Sequence, residues 1–123
     1  MQDLLAVCLC AAWCHLCGSY RATFERVGEK WPDARFRWLD IEDEAELLGS
    51  LDIEDFPTLL VIKQGKPWFF GPIEPHEATL DRLLRSVRDD PGDPPSMSAE
   101  LAGLSRKLHA ETASANRVSP QRA

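Results

Sequence analysis

The sequence predicts an α/β fold in which strands and helices follow in the order β-α-β-α-β-β-α. Three observations lead to this order. Residues 4–12 are almost wholly apolar, as in a strand covered on both faces of a sheet. After Cys14, apolar residues recur every three or four positions, which is the spacing of one helix face. Leu59–Ile62 is a second strongly apolar strand, and Lys63–Lys66 suits a hairpin connection.

The other elements follow from the same kinds of pattern. The first helix is expected to end near Lys30, before a Trp-Pro-Asp break. The remaining predictions are a strand at Arg35–Ile41, a short helix at Asp43–Leu51, a return strand at Trp68–Phe70 and a helix near residues 75–88. The early alternation of strands and helices predicts parallel strands, to which the hairpin adds an antiparallel edge.

The chain is predicted to form one domain followed by a tail. Its 123 residues suffice for one modest core, assigned to residues 1–89. Residues 90–96 contain three prolines and a glycine, which indicates a linker. Residues 97–123 are predicted to be a tail with a short helix at 97–110 and a disordered remainder.

The charge distribution excludes some classes of partner. The net charge is −6, and residues 1–89 account for all of it. An acidic domain without a basic patch argues against nucleic acid and anionic membranes as partners. The apolar run at 4–12 could pass for a signal-peptide core, but no Lys or Arg precedes Arg21 and the run leads straight into the cysteines. We expect a cytoplasmic monomer.

All four cysteines lie between residues 8 and 17, and this clustering indicates a chemical site. The segment Cys14-His15-Leu16-Cys17 is a Cys-x-x-Cys pair, which is typical of half a zinc site or of a redox dithiol. After Cys17 there is no second pair at zinc spacing. Cys8, Cys10 and His15 could in principle complete a metal site inside the core, so a metal-binding protein stays an alternative.

The position of the pair favours the redox interpretation. Cys14 falls where a buried strand ends and a helix begins, so free N–H groups and the helix dipole favour its thiolate. Cys17 lies one turn inside the same helix, where it can attack a mixed disulfide and is better shielded. Strand alternation places Cys8 and Cys10 on the same side of the sheet, and both are interpreted as small buried hydrophobic residues.

At these residues the chain resembles the thioredoxin family. The matching segments are Trp13–Cys17, Phe56–Val61, Lys63–Gly65 and Gly71. The resemblance implies a thioredoxin-like fold over about Leu4–Arg88, with the family's first strand and helix missing or shortened. It also implies a thiol–disulfide oxidoreductase that acts on disulfide- or thiol-containing proteins and takes electrons from a reductase or a small thiol.

The resemblance implies roles for individual residues. Cys14 and Cys17 are the catalytic pair and form the redox-active disulfide, so no dissociable cofactor and no metal is expected. His15 and Trp13 tune the thiolate. The implied substrate groove comprises Trp13, Ile41, Asp55, Phe56, Pro57, Thr58 and Gly71. Residues 40–55 hold eight acidic residues and no Lys or Arg, which is typical of a solvated face but could also select partners with basic surfaces.

The sequence also departs from the family pattern. Cys8 and Trp38 stand where the family carries a buried Asp and its Lys partner. The His15-Leu16 dipeptide replaces the usual Gly-Pro, and Ala22 replaces the proline that kinks the active-site helix. These differences favour a specialised relative over a housekeeping thioredoxin. A redox-silent binding or chaperone-like module with the same fold stays the main alternative.

Overall fold

A computed structural model of the protein describes residues 4–11, 14–49, 51, 53 and 57–118. The described elements are β1 (Leu4–Cys10), α1 (His15–Glu29), β2 (Ala34–Asp40), α2 (Ala45–Leu48), β3 (Thr58–Lys63), β4 (Lys66–Pro72), α3 (Glu77–Asp89) and α4 (Ala99–Val118). The predicted α/β class and the order of the first seven elements are confirmed. Within these residues, no helix is long and apolar enough to cross a membrane.

The strands form one sheet in the order β2-β1-β3-β4. β1 and β2 run parallel, in register from Leu4–Ala34 to Cys10–Asp40. β3 is antiparallel to both of its neighbours, β1 and β4. The expectation that the early strands are all parallel is therefore wrong for β3. The predicted helix at 43–51 is a single turn of four residues, and the chain enters β3 at the sheet edge where β2 ends.

The hairpin between β3 and β4 is where the sequence predicts it. Gln64 and Gly65 have φ values of 55° and 79°. Positive φ at both central residues is the signature of a two-residue type I′ turn, whose twist matches that of the flanking strands. Pro67 lies in β4, an edge strand, where a missing N–H is tolerated.

Helices cover both faces of the sheet, because side chains along β1 alternate between the two. We call the face under α1 and α3 the cysteine face; its buried members are Leu4, Ala6, Cys8, Cys10, Cys17, Tyr20, Phe24, Val27, Trp31, Leu59, Val61, Ile73, Leu80, Leu84 and Val87. We call the opposite face the aliphatic face; its buried members are Leu5, Val7, Leu9, Leu39, Leu48, Leu60, Ile62, Leu101, Leu104 and Leu108.

Helix α4 corrects the predicted tail. Instead of a short helix at 97–110 with a disordered remainder, α4 runs from Ala99 to Val118. Its leucines at 101, 104 and 108 are at most 4% exposed and close the aliphatic face. Ser98 caps the helix, since its hydroxyl accepts a hydrogen bond from the Leu101 N–H at 3.1 Å. The helix thus continues past the predicted end at 110, and residues 119–123 lie outside the described chain.

Candidate functional site

The cysteines meet where β1 ends and α1 begins. Cys10 is the last residue of β1, and Cys14 is the N-cap of α1 with extended backbone angles of −92° and 118°. The Cys14 N–H donates to the carbonyl of Ala11 at 3.0 Å, and the Gly18 N–H donates to the carbonyl of Cys14 at 3.3 Å. These two bonds hold Cys14 at the start of the helix.

The two motif cysteines differ in exposure as predicted. Cys14 is partly exposed and carries a free thiol, whereas Cys17 is 2% exposed on the inner side of α1. His15 and Leu16 between them are exposed. At 48% exposure, Leu16 is the one large hydrophobic side chain in the described part of the chain that stands out into solvent. An accessible sulfur and an apolar contact point therefore lie side by side.

The disulfide of the structure joins Cys10 to Cys17. The predicted Cys14–Cys17 bond is not the one present, and Cys10 is more than the buried hydrophobic residue expected from the sequence. The reason is geometric. The alternation of β1 and the period of α1 turn both sulfurs into the cysteine face, and the two Cα atoms lie 5.8 Å apart, within the range of disulfides.

Cys8 lies beside this bond. Its thiol is free and fully buried, with its sulfur 3.7 Å from that of Cys10. Because a disulfide sulfur carries no hydrogen, the Cys8 S–H is the donor. Burial raises the pKa of the Cys8 thiol to about 12, so Cys8 stays protonated at neutral pH. It therefore cannot replace the family's carboxylate as a proton acceptor.

Trp38, which stands where the family carries a Lys, lies next to Cys8. Trp38 is the cross-strand partner of Cys8 in the β1–β2 register. Its ring packs edge-on against Phe24 at 5.7 Å, and the guanidinium of Arg21 lies 5.2 Å from its centre. A thiol and an aromatic ring thus occupy neighbouring positions where the family carries an Asp–Lys pair.

The described groove residues line the same sheet edge as Cys14. Thr58 is 3% exposed and pairs with Leu9 of β1. The Ile41 N–H donates to the carbonyl of Cys10 at 2.8 Å, which ties the end of β2 to the end of β1. The structure therefore brings Ile41 and Thr58 to the cysteine cluster.

Two more of the predicted groove residues, Pro57 and Gly71, are positioned by β3, β4 and the residue after β4. The Ile73 N–H, just after β4, donates to the carbonyl of Pro57 at 3.2 Å, and Gly71 pairs with Leu59. Pro57 is buried and Gly71 is partly exposed. The other predicted groove residues lie outside the described chain; they are Trp13, Asp55 and Phe56.

An acidic turn borders this edge. The Asp40 carboxylate, opposite Cys10 in register, accepts hydrogen bonds from the N–H groups of Glu42 and Asp43 at 2.9 and 3.3 Å. Glu42, Asp43 and Glu46 are exposed. In the described ranges, no group of three or more His, Cys, Asp or Glu side chains is arranged to hold a metal ion.

Comparisons with known proteins identify the family of the chain. The family profile described as Thioredoxin matches residues 1–85. A thioredoxin H-type from Picea mariana is 32% identical over 89 residues, which is 72% of this chain and 62% of that protein. Thioredoxin-1 from Saccharomyces cerevisiae is 33% identical over 66 residues, covering 53% of this chain and 64% of that protein. The chain thus spans less than two thirds of the length of these relatives.

Solved structures show the same fold. Thioredoxin from Trypanosoma brucei brucei superposes with a TM-score of 0.62 at 22% identity, over 72% of this chain and 77% of that one. A mutant thioredoxin from Halobacterium salinarum gives 0.64 at 21% identity, over 73% and 79%. With the family profile covering more than half of the sequence, the chain belongs to the thioredoxin family.

Proposed function

We propose that the protein is a thiol–disulfide oxidoreductase that exchanges disulfides with partner proteins through Cys14 and Cys17. One observation carries the proposal: a free, partly exposed thiol stands at the amino end of α1, one turn from a shielded cysteine. The family supports it, since exchange needs one sulfur to attack and a second to resolve.

The reaction moves two electrons to the partner. The Cys14 thiolate attacks one sulfur of a partner disulfide, and the other partner sulfur leaves as a thiol. The Cys17 thiolate then attacks the Cys14 sulfur, which releases the second partner thiol and forms Cys14–Cys17. Cys17 can do this only when it is not bonded to Cys10. A reductase or a small thiol returns both cysteines to thiols.

The surroundings of Cys14 support a protein substrate. Exposed Leu16 offers an apolar contact beside the reacting sulfur, and His15 can stabilise a neighbouring thiolate when protonated. The sheet edge at Ile41, Pro57, Thr58 and Gly71 is the adjoining surface that we assign to the partner segment. The acidic turn after β2 favours partners with basic surfaces. A cytoplasmic setting, which keeps thiols reduced, belongs to the same proposal.

Mixed-disulfide trapping tests the roles of the two cysteines. The fully reduced chain is mixed with a disulfide-bonded peptide, and adducts are counted by mass spectrometry under non-reducing conditions. Cys17→Ser should accumulate a stable adduct at Cys14, because the resolving sulfur is gone. Cys14→Ser should form none. Cys8→Ala, which also removes one thiol, serves as the control and should resolve its adduct.

Two outcomes would contradict the proposal. Equal trapping by Cys14→Ser and Cys17→Ser would overturn the assignment of roles. If the reduced, unmodified chain binds the peptide but reduces none of it when no other thiol is present, the protein is a redox-silent binding module.

A further inference from the structure

Cys17 has two candidate partners. Cys10 is bonded to it, and Cys14 stands three residues before it at the start of α1. Positions three apart on a helix lie on the same side, within reach of each other. Only one of the two can be bonded to Cys17 at a time. The oxidised chain therefore has two disulfide isomers of equal oxidation state.

The isomers differ in where they leave the free sulfur. When Cys10 is bonded, the free sulfur belongs to Cys14, partly exposed at the helix amino terminus. When Cys14 is bonded, the free sulfur belongs to Cys10, which is 2% exposed. A thiolate is stabilised by water and by a helix amino terminus and is destabilised by burial. Cys14 is therefore the better leaving group of the two, and the Cys10–Cys17 bond, which we call the inner bond, is the favoured one.

Cys8 affects how readily Cys10 can react, not which of the two bonds is favoured. Its S–H points at the sulfur of Cys10 over 3.7 Å. This contact is also available to Cys10 while it carries negative charge during exchange, in a core that offers it little other polar contact. Cys8 stays a thiol throughout because its own burial suppresses ionisation. The inner bond therefore sits beside a fixed S–H donor.

We propose that Cys10 is a third redox-active cysteine, which takes the disulfide over from Cys14 while the chain stays oxidised. The proposal rests on the proposed exchange function of Cys14 and Cys17. Cys10 attacks the Cys17 sulfur as a thiolate; the Cys10–Cys17 bond forms and the Cys14–Cys17 bond breaks. Cys14 leaves as a thiolate, and the proton lost by Cys10 passes to water. One disulfide is present before and after, so the step needs no oxidant or reductant.

The transfer changes what the oxidised protein can do. Cys14 is free again and can attack another partner disulfide. Cys17 cannot resolve that adduct until the inner bond is reduced. The oxidised chain would therefore hold a disulfide-containing partner covalently and release it when a dithiol opens Cys10–Cys17.

A time course on the unmodified full-length chain tests the transfer. The reduced protein is oxidised with a disulfide peptide and quenched with acid at intervals, and its free thiols are blocked with N-ethylmaleimide. Chymotrypsin then cleaves after Trp13. Because chymotrypsin also cleaves after Leu16, the fragment joined to Cys17 identifies the bond: it contains Cys14 for Cys14–Cys17 and Cys10 for Cys10–Cys17. We expect Cys14–Cys17 to form first and then to be replaced by Cys10–Cys17 with one intramolecular disulfide throughout, as Cys14 becomes labelled or takes up a second peptide.

Variants separate this inference from the exchange function. Cys10→Ala should stop at Cys14–Cys17, with Cys14 unlabelled, and Cys8→Ala should still convert. In Cys14→Ser, formation of Cys10–Cys17 should be lost or greatly slowed. Equal rates in that variant would overturn the transfer, because the inner bond would then form directly. A Cys14–Cys17 bond that persists in an active unmodified chain would also overturn it, and would leave the exchange function standing.

The time course does not depend on the variants. If a substitution prevents folding, the order of the two bonds in the unmodified chain still decides. Failure of the reduced, unmodified chain to form a Cys14–Cys17 bond or to reduce the peptide would instead count against the proposed function itself.

Discussion

The two faces of the sheet are equally buried but chemically opposite. The cysteine face holds all four cysteines, three of them buried, together with Tyr20 and most of the aromatic rings, under α1 and α3. The aliphatic face is built from Leu, Val and Ile side chains, under α2 and α4. Both are drawn from the same strands by alternation. Reactive sulfur is thus confined to one layer, while the other layer supplies stability through apolar side chains.

The two faces also differ in which elements close them. On the cysteine face, Cys8 and Trp38 lie where the family pattern has an Asp and a Lys, and the layer is closed by α1, α3 and the Lys30–Glu77 ion pair. On the aliphatic face, α4 supplies three fully or nearly fully buried leucines to cover β1 and β3. The helix beyond the Pro-rich segment is therefore part of the folded unit.

Truncating a buried leucine on each face gives the largest expected effect. Leu108 of α4 and Leu84 of α3 are both 0% exposed. Leu108→Ala and Leu84→Ala should each lower the free energy of unfolding by about 2–5 kcal/mol, because each leaves a cavity in a closed layer. Denaturant unfolding followed by circular dichroism measures both.

The matched control is the exposed neighbour of Leu108. Lys107→Ala should change the free energy of unfolding by no more than about 0.5 kcal/mol. If Leu108→Ala lowers the free energy of unfolding as little as Lys107→Ala does, α4 does not stabilise the fold, and the aliphatic face does not depend on it for cover.

Each face also buries a hydroxyl that has no hydrogen-bond partner among the described residues: Tyr20 on the cysteine face and Ser105 on α4. Removing an unsatisfied polar group relieves its desolvation cost. Tyr20→Phe and Ser105→Ala should therefore leave the free energy of unfolding unchanged or raise it by up to ~1 kcal/mol. Thermal unfolding of the two variants checks this. A loss of stability in Tyr20→Phe alone would mean that its hydroxyl bonds a cysteine sulfur.

Burial and charge also act together at this tyrosine. Burial raises the pKa of the Tyr20 hydroxyl, and the neighbouring Cys8 adds to the rise. Both groups therefore stay neutral near pH 7, and the cysteine face carries no buried charge from them.

The sequence predicts much of the site but not the pairing of Cys10 with Cys17, and this omission has a physical cause. The alternation of β1 and the period of α1 are both visible, and together they turn Cys10 and Cys17 into one layer. The spacing of the Cys-x-x-Cys motif outweighs that signal when cysteines are paired by sequence distance alone. Position in space, which depends on how α1 lies across β1, decides the pairing.

The helix that covers the aliphatic face could also be predicted in part from the sequence. A strand that is apolar at every position, such as β1, needs cover on both sides, and this requirement points to a helix beyond α3. The leucine stripe and the capping Ser98 mark where that helix begins. The Pro-rich segment at 90–96 obscures it, because such a composition usually ends a domain. The predicted helix at 43–51 suggests a crossover and hence a parallel β3, whereas α2 is a single turn and β3 is antiparallel to β1. Element boundaries are the least reliable part of a prediction from sequence.

The smallest expected effect concerns an ion pair that closes the cysteine face. Lys30 of α1 donates to the Glu77 carboxylate of α3 at 2.7 Å, with Arg26 at 3.6 Å from the other oxygen. The hydrogen bond from Lys30 lowers the pKa of the Glu77 carboxyl. A carboxyl with a lower pKa in the folded state adds stability above its unfolded pKa and loses it as pH falls through the folded value.

Glu77→Gln should therefore lower the thermal midpoint slightly at pH 7, with a difference from the unmodified protein that vanishes in acid. Salt should shrink the difference too, because the pair is exposed. The double variant Lys30→Gln/Glu77→Gln should be less destabilised than the sum of the single variants. The corresponding pair on the aliphatic face, Arg37 of β2 with Glu111 of α4 at 2.9 Å, supplies the matched cycle. Coupling across Lys30–Glu77 with none across Arg37–Glu111 would mean that α4 is held by its leucines alone. Coupling in both cycles would mean that an ion pair at the surface also stabilises each layer.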